Sequence, residues 1–186
     1  MKISKAQAQA NRARVVETAS ELFRARGFDG VAVADLMQAA GFTHGGFYNH
    51  FASKEALAAE AVEDAWTQMG EQRARAGSLA ALLPAYLSRA ARRAPGKACP
   101  AAALAGDVSR QPEAVKAVFA DGLEAMIASV EAGLPADDGR RERAVNLVVR
   151  MVGALALSRA VPDDNPLAKE LLDAPLRASL REVGEG

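Results

Sequence analysis

The stretch FTHGGFYNHF, residues 42–51, holds the most chemically versatile side chains in the sequence. Both histidines of the chain lie in it, together with a tyrosine, an asparagine and two adjacent glycines. Imidazole, phenol and amide groups could bind a metal, transfer protons or donate hydrogen bonds to an external partner. Helical patterns flank the stretch on both sides, and each glycine costs about 1 kcal/mol of helix propensity. We therefore expect the glycines to let the backbone lie closely against something outside the protein.

Enzymatic and metal-binding interpretations of these residues have little support. His44 and His50 point to different faces of a helix, which is unfavourable for chelating one metal ion. No strand precedes Gly45 and Gly46, as a dinucleotide-binding loop would require. With both histidines in this stretch and one cysteine elsewhere, no Ser-His-Asp or Cys-His constellation is evident. The sequence thus predicts a protein that is not an enzyme and needs neither a metal nor another cofactor.

Composition places the chain among ordinary globular proteins. Its 186 residues are enough for one domain, or for a small head on a larger body. Lys plus Arg and Asp plus Glu balance at 23 each, so no overall charge indicates a polyanionic partner. The single cysteine excludes an intrachain disulfide, and no apolar run is long enough for a signal peptide or a membrane span. We expect a cytoplasmic protein with no membrane partner.

Cations outnumber anions near the N-terminus, where only Glu17 and Glu21 oppose them up to residue 26. Such a basic cluster indicates either local contact with an anion or a solvated helix face. Its members are Lys2, Lys5, Arg12, Arg14, Arg24 and Arg26.

Helical periodicity runs through the chain and predicts an all-α fold of about nine helices. Capping residues, glycines and prolines mark the ends of most of them, and no strand pair is evident. The predicted helices cover residues 4–26, 33–40, 43–51, 53 to beyond 66, 79–93, a short one from 100, 112–132, 140–160 and 165–183.

The second and third predicted helices form a helix-turn-helix pattern around Gly41. Phe47 and Phe51 share one face of the third helix and, with Phe42, anchor it to the first two helices. The opposite surface carries polar groups and no bulky apolar side chain. Such a helix is shaped to enter the major groove of DNA.

The segment GFDGVAVADLMQAAGFTHGGFYNHFASKEAL, residues 27–57, resembles the DNA-binding signature of the TetR/AcrR family of bacterial transcriptional regulators. The resemblance implies a three-helix DNA-binding head, residues 1–52, and a helical effector-binding and dimerisation body, residues 53–186. It implies a homodimer on a palindromic double-stranded operator, released by a small-molecule effector. The positions that match the family's phosphate contacts are Thr43, Tyr48, His50 and Lys54, and those that match its base contacts are His44, Gly45, Gly46 and Asn49.

Three departures from the family pattern bear on DNA binding. Residues 31–32 are Val and Ala where the family has hydroxyl residues, so a helix cap worth about 1 kcal/mol is lost. Met37 occupies the place of a small residue where two helices cross, which predicts a wider crossing. Gly46 replaces a polar side chain, so base readout would rely on His44, Asn49 and the shape of the DNA.

Large side chains in the body have two interpretations. Taken singly they are ordinary core residues, whereas together they could line an effector pocket, because Met and aromatic walls suit apolar ligands. The pocket candidates are Trp66, Met69, Tyr86, Phe119 and Met126.

The predicted helix 140–160 is apolar over more than one face, so it must be covered on both sides. It is either buried within one subunit or, with the last helix, forms a homodimer interface. In the second case two recognition helices would lie about 34 Å apart, one turn of DNA.

Cys99 precedes Pro100 at a predicted helix start, and Lys97 stands two residues before it. A helix N-terminus and a cation both stabilise the reactive thiolate. We therefore expect Cys99 to be either a sensor of electrophiles or oxidants, which would form an adduct, a sulfenic acid or an intersubunit disulfide, or an inert buried thiol.

The predicted function is a repressor released by a small molecule or by modification of Cys99. The alternative is a helical small-molecule-binding or scaffold protein without specific DNA binding.

Overall fold

The computed structural model describes residues 4–184 and confirms the all-α fold. Nine α-helices and two short 3-10 helices, but no strand, occur in that range. None of these helices has the length and apolarity that crossing a bilayer requires. Lys2 of the predicted basic cluster lies outside the described residues. The α-helices are α1 (Lys5–Arg26), α2 (Val33–Ala39), α3 (Lys54–Ala76), α4 (Leu79–Tyr86), α5 (Arg89–Arg93), α6 (Pro100–Val108), α7 (Glu113–Ala132), α8 (Arg140–Arg159) and α9 (Pro166–Gly184), and the 3-10 helices are His44–Asn49 and Pro95–Lys97.

The N-terminal part packs α1, α2 and the 3-10 helix His44–Asn49, here called the recognition segment, around a shared apolar core. Ser4 caps α1 as predicted, because its hydroxyl accepts a hydrogen bond from the Gln7 amide at 3.1 Å. The turn after α2 needs Gly41, whose φ of 84° lies in the left-handed region. Phe47 and Phe51 are buried with ring centroids 5.5 Å apart, so the aromatic anchor is present.

The recognition segment is a 3-10 helix, whereas the sequence predicted an α-helix over residues 43–51. The Gly46 amide donates to the Thr43 carbonyl at 3.0 Å, and the His50 amide donates to the Phe47 carbonyl at 2.9 Å. These are i→i+3 bonds, and two adjacent glycines remove much of the preference for the α form. Residues three apart therefore align, so Gly45 lies above Tyr48 instead of Asn49.

The body is built on α3, α7, α8 and α9. Trp66 of α3 packs against Phe119 of α7 with ring centroids 5.6 Å apart. Its indole also covers Gly122, where any added Cβ would overlap the ring. Helix α9 is tied to α8 by an ion pair between Arg150 and Glu182 at 2.6 Å.

The predicted single helix over residues 79–93 is wrong, since α4 ends at Tyr86 and α5 starts at Arg89. Leu87 has φ −93° and ψ 48°, outside the helical region. The Ser88 hydroxyl then accepts a hydrogen bond from the Ala91 amide at 3.0 Å and caps a new helix. Pro84 lies inside α4, where it has no amide hydrogen to donate, so the helix is already weakened before this break.

Helix α1 also contacts the body directly. Arg24 is buried, and its guanidinium donates to the Ala98 carbonyl at 3.1 Å and to the Gln68 amide oxygen at 2.7 Å. Gly96 approaches the Glu21 carbonyl so closely that an added Cβ would lie 2.9 Å from it. These contacts join α1 to the segment that leads into α6. The division of the chain at residue 52 stays a prediction.

Candidate functional site

The recognition segment presents a polar, solvent-exposed surface. Tyr48 is 68% exposed and lies edge-on against buried Phe47, at 5.2 Å between ring centroids. The core thus fixes the phenol while leaving its hydroxyl free to donate a hydrogen bond. The other exposed candidates are Thr43, His44, Gly45 and Asn49, and the partly buried ones are Gly46, His50 and Lys54.

The two glycines of the segment have different surroundings. A Cβ on Gly45 would meet no protein atom within 4 Å, so this position faces open space. A Cβ on Gly46 would lie 3.6 Å from the Met37 methyl group. Two departures from the family pattern therefore touch each other: the larger residue in α2 lies against the position that lacks a side chain.

Lys54 has a contact that the sequence did not indicate. Its ammonium group donates to the Phe28 carbonyl at 2.6 Å, which ties α3 to the turn between α1 and α2. Ser53 caps α3 as predicted, accepting a hydrogen bond from the Ala56 amide at 3.2 Å. The predicted phosphate contact of Lys54 stays a prediction, and one of the three donors of its ammonium group is already occupied.

Some cations of the basic cluster are engaged in contacts within the protein, and others are exposed to solvent. Arg12 forms an ion pair with Glu60 at 2.5 Å and stacks over the Phe51 ring, and Arg24 is buried. Arg14 is exposed, makes no ion pair among residues 4–184, and lies 5.8 Å from the Phe42 ring centroid. Sequence reasoning named Arg14 only as a member of the basic cluster, because its nearness to the recognition segment depends on how α1 packs.

The predicted loss of a helix cap at α2 is present in the structure. Ala32 occupies the N-cap position with extended backbone and makes no side-chain hydrogen bond. Val31 is fully buried in the core, so its side chain contributes packing in place of a hydroxyl.

A cleft of about 690 Å³ opens between α3, α4, α5 and the start of α6, and we call it the α3–α6 cleft. Of the predicted pocket residues, Met69 and Tyr86 line it, whereas Trp66, Phe119 and Met126 lie elsewhere in the body. Much of the wall is alanine. The lining residues are Met69, Gln72, Arg75, Ala76, Ala81, Leu82, Ala85, Tyr86, Ser88, Ala90, Ala91, Ala94, Lys97, Ala98, Cys99 and Leu155.

Buried polar atoms without partners lie at this cleft. The Tyr86 hydroxyl has no hydrogen-bond partner among residues 4–184, although Tyr86 is only 5% exposed. Burial, with a smaller contribution from nearby Cys99, raises the pKa of Tyr86, so the hydroxyl stays protonated. Arg73 does not line the cleft but lies near Tyr86 and Cys99; its Nε and Nη1 atoms are buried without a partner among residues 4–184, and desolvation lowers the pKa of its guanidinium.

Cys99 lines the cleft but is only 1% exposed. Burial raises the pKa of its thiol, and this outweighs the opposing effects of the Tyr86 hydroxyl, the first amides of α6 and the Arg73 charge. The predicted cation, Lys97, has its ammonium group 4.0 Å from the Glu21 carboxylate instead. The environment therefore favours the neutral thiol over the thiolate that the sequence suggested.

The outward face of α8 is apolar and carries small residues. Val149 and Leu157 are 64% and 58% exposed. Gly153 lies between them, and a Cβ there would meet nothing within 4 Å. A second helix could approach this face closely.

No group of three His, Cys, Asp or Glu side chains suited to a metal ion occurs in the part of the chain that the structure describes. The two histidines instead belong to the recognition segment and its end.

Comparison with known proteins agrees with this geometry. Residues 15–61 match the family model of the bacterial regulatory proteins of the tetR family. The HTH-type transcriptional repressor DhaR of Mycobacterium sp. (strain GP1) is 38% identical over 58 residues, which are 31% of this chain and 29% of DhaR. The chain thus matches less than a third of the length of that relative.

Two solved structures resemble the chain over nearly its whole length. Reduced E. coli NemR has a TM-score of 0.75 at 20% identity, covering 93% of this chain and 97% of NemR. A TetR-family regulator from Cytophaga hutchinsonii has a TM-score of 0.78 at 17% identity, covering 100% and 98%. At such low identity these likenesses show a shared fold, while the family match includes the whole recognition segment. Residues 15–61 therefore match the N-terminal domain model of the TetR family, and the chain as a whole shares the fold of solved regulators of that family.

Proposed function

We propose that the chain is a DNA-binding transcriptional repressor, released from a palindromic operator by a small-molecule effector or by modification of Cys99. The observation that carries this proposal is the recognition segment, whose polar face is exposed while Phe47 behind it is fully buried. A rigidly supported polar face can enter the major groove without reorganising the core. The repressor role of the relative DhaR supports the sign of regulation.

Contacts to the sugar-phosphate backbone would come from exposed hydroxyl, imidazole and cationic groups around the segment. We assign them to Thr43, Tyr48, His50 and Lys54, and add Arg14 because it is exposed beside Phe42. Base edges would meet His44, Gly45, Gly46 and Asn49. The open space at Gly45 supports close backbone approach.

Variants of these residues separate phosphate contacts from base contacts. Tyr48→Phe and Arg14→Ala should weaken binding to all duplexes about equally, because backbone contacts carry no sequence information. Asn49→Ala should reduce discrimination between operator and random DNA, by about 1–3 kcal/mol for a lost bidentate base contact. Arg26→Ala, at the other end of α1 and also exposed, is the matched control for Arg14. Equal loss on operator and random DNA for Asn49→Ala would remove its proposed base-reading role.

A homodimer would place two recognition segments on one palindromic site. We propose that the outward face of α8, with α9, forms the interface, because Val149, Gly153 and Leu157 combine apolar exposure with room for a close helix. Leu157→Arg should give a monomer in size-exclusion chromatography with light scattering. Ala114→Arg, at an exposed position of α7 outside the proposed interface, serves as control. If Leu157→Arg still forms a dimer, the interface does not lie on this face of α8.

The α3–α6 cleft is connected to α1 by short contacts. Ala98 lines the cleft, and its carbonyl accepts the hydrogen bond from buried Arg24 of α1. A ligand that displaces the wall at Ala98 would therefore act on the helix that supports the recognition segment. Release is then a population shift, limited by the difference in ligand affinity between the DNA-bound and free conformations.

Modification of Cys99 is the second proposed route of release. Cys99 lines the cleft but is almost fully buried, and its raised pKa predicts slow reaction with electrophiles at neutral pH. Operator binding should be measured before and after treatment with N-ethylmaleimide, for wild type and for Cys99→Ser. Release of wild type alone would support a sensing cysteine, whereas retention by both would assign Cys99 to packing.

A further inference from the structure

We propose that the α3–α6 cleft binds an apolar molecule carrying one anionic group, whose acceptor atom receives a hydrogen bond from Tyr86. This inference rests on the proposed function, since it names the chemical class of the effector. It combines three independent observations on the cleft: its walls, its unpartnered donors and its charge.

The walls provide apolar contact for a ligand body. Met69, Leu82 and Leu155 lie among the lining residues, and alanines make up much of the rest. A volume of about 690 Å³ falls within the range of small-molecule sites. Alanine walls leave space without adding polar groups, so the body of the ligand should be apolar.

Donors of Tyr86 and Arg73 have no hydrogen-bond partner among residues 4–184, and the thiol of Cys99 is the weak polar group nearest to the Tyr86 hydroxyl. The buried Tyr86 hydroxyl would ordinarily find a partner, because an unpaired buried polar group costs about 1–3 kcal/mol. Arg73 presents the same situation with a charge, since its Nε and Nη1 atoms are buried and unpaired in the described chain. Its guanidinium is near enough to Tyr86 and Cys99 for charge to act between them. A bound anion would satisfy the hydroxyl directly and the guanidinium through its field.

The charged side chains in the lining of the cleft are cations. The ionisable cations in its lining are Arg75 and Lys97, and no carboxylate lines it among residues 4–184. The neighbouring acids are outside the lining: Glu71 lies 3.4 Å from Arg75, and Glu21 lies 4.0 Å from Lys97. The lining itself therefore favours an anionic ligand over a cationic one, and the two flanking carboxylates reduce that preference.

Two matched fluorescent probes test the inference without DNA. 1-Anilinonaphthalene-8-sulfonate and N-phenyl-1-naphthylamine share their aromatic rings and differ by the anionic group. The sulfonate should bind wild type at one site per chain, about tenfold more tightly than the neutral amine, as expected for a charged hydrogen bond. Equal affinities, or tighter binding of the amine, would overturn the proposal even before any variant is made.

Variants then locate the anion. Tyr86→Phe should weaken sulfonate binding about tenfold and leave amine binding unchanged. Arg73→Met should also weaken sulfonate binding while raising the melting temperature, because it removes two buried nitrogens that have no partner among residues 4–184. A merely structural Arg73 would instead lower the melting temperature on substitution. Unchanged sulfonate binding by folded Tyr86→Phe would refute the assigned site.

Measuring sulfonate binding and operator binding on the same protein distinguishes failure of this inference from failure of the proposed function. If the sulfonate binds as expected but saturating amounts leave operator affinity unchanged, the ligand class stands and the proposed release fails. If operator binding is specific but the sulfonate has no preference over the amine, the repressor stands and the ligand class fails.

Discussion

The recognition segment and the α3–α6 cleft differ in the solvent exposure and hydrogen bonding of their polar groups. In the segment, polar side chains face solvent while Phe47 and Phe51 behind them fill the core. In the cleft, the Tyr86 hydroxyl is buried without a partner among residues 4–184, as are two nitrogens of nearby Arg73, and much of the lining is alanine. The first arrangement suits a large hydrated partner such as DNA, and the second suits a small ligand that replaces missing hydrogen bonds.

Arg24 is the residue whose loss should affect both regions. Arg24→Met removes hydrogen bonds to Ser20, Gln68 and Ala98 from a buried guanidinium, which should lower the unfolding free energy by about 3 kcal/mol. Denaturant titration measures this, with Arg26→Met as the exposed control from the same helix. Equal small losses in the two variants would show that α1 and the cleft are not joined through Arg24.

Gly45→Leu should affect the head alone. The new side chain enters open space in the free protein, so the fold should persist while DNA approach is obstructed. We expect operator affinity to fall about 100-fold, or about 2.7 kcal/mol. Gly106→Leu is the matched control, because that exposed position in α6 is equally open. Unchanged operator affinity for Gly45→Leu would contradict the backbone approach.

Ala32→Ser should stabilise the head and leave the cleft unchanged. Ala32 has the extended backbone of an N-cap, is exposed and lacks a capping hydrogen bond. A serine there should raise the unfolding free energy by about 1 kcal/mol, measured by denaturant titration. Ala39→Ser, at an exposed position near the end of α2, should give no such gain.

Asp163 should give the smallest effect, confined to the body. Hydrogen bonds from Arg93, and further contacts from Arg89 and Arg92 of the cleft-lining helix α5, hold its pKa at about 2. Since the pKa is depressed in the folded state, its stabilisation is present above about pH 4 and lost as pH falls towards 2. The stability difference between wild type and Asp163→Asn should therefore shrink over that window. Asp164→Asn, which makes no ion pair in the described chain, should show no such trend.

The head was largely predictable from sequence because its constraints are local. Glycine at the turn, aromatic spacing and the missing cap at Ala32 each follow from a residue and its neighbours. The 3-10 form of the recognition segment was not predictable, because the choice between i→i+3 and i→i+4 bonds depends on how Phe47 packs and on the two glycines.

The cleft was less predictable because its properties arise from distant residues. Arg73 looks in sequence like any solvated helix residue, and only the packed structure leaves its Nε and Nη1 atoms buried without partners. Trp66 and Phe119 were chosen for size, yet they pack against each other between α3 and α7. The alanine-rich run from Leu79 to Leu104 was the available indication of empty space.

The central claim is that the recognition segment reads DNA, and one titration tests it most directly. A palindromic duplex selected from fragments of the source genome by the purified protein is compared with a scrambled duplex by fluorescence anisotropy over a salt series. We expect two chains per duplex, a clear preference for the selected sequence, and a logarithm of affinity that falls linearly with the logarithm of salt concentration. Equal affinity for the two duplexes at every salt concentration would contradict it.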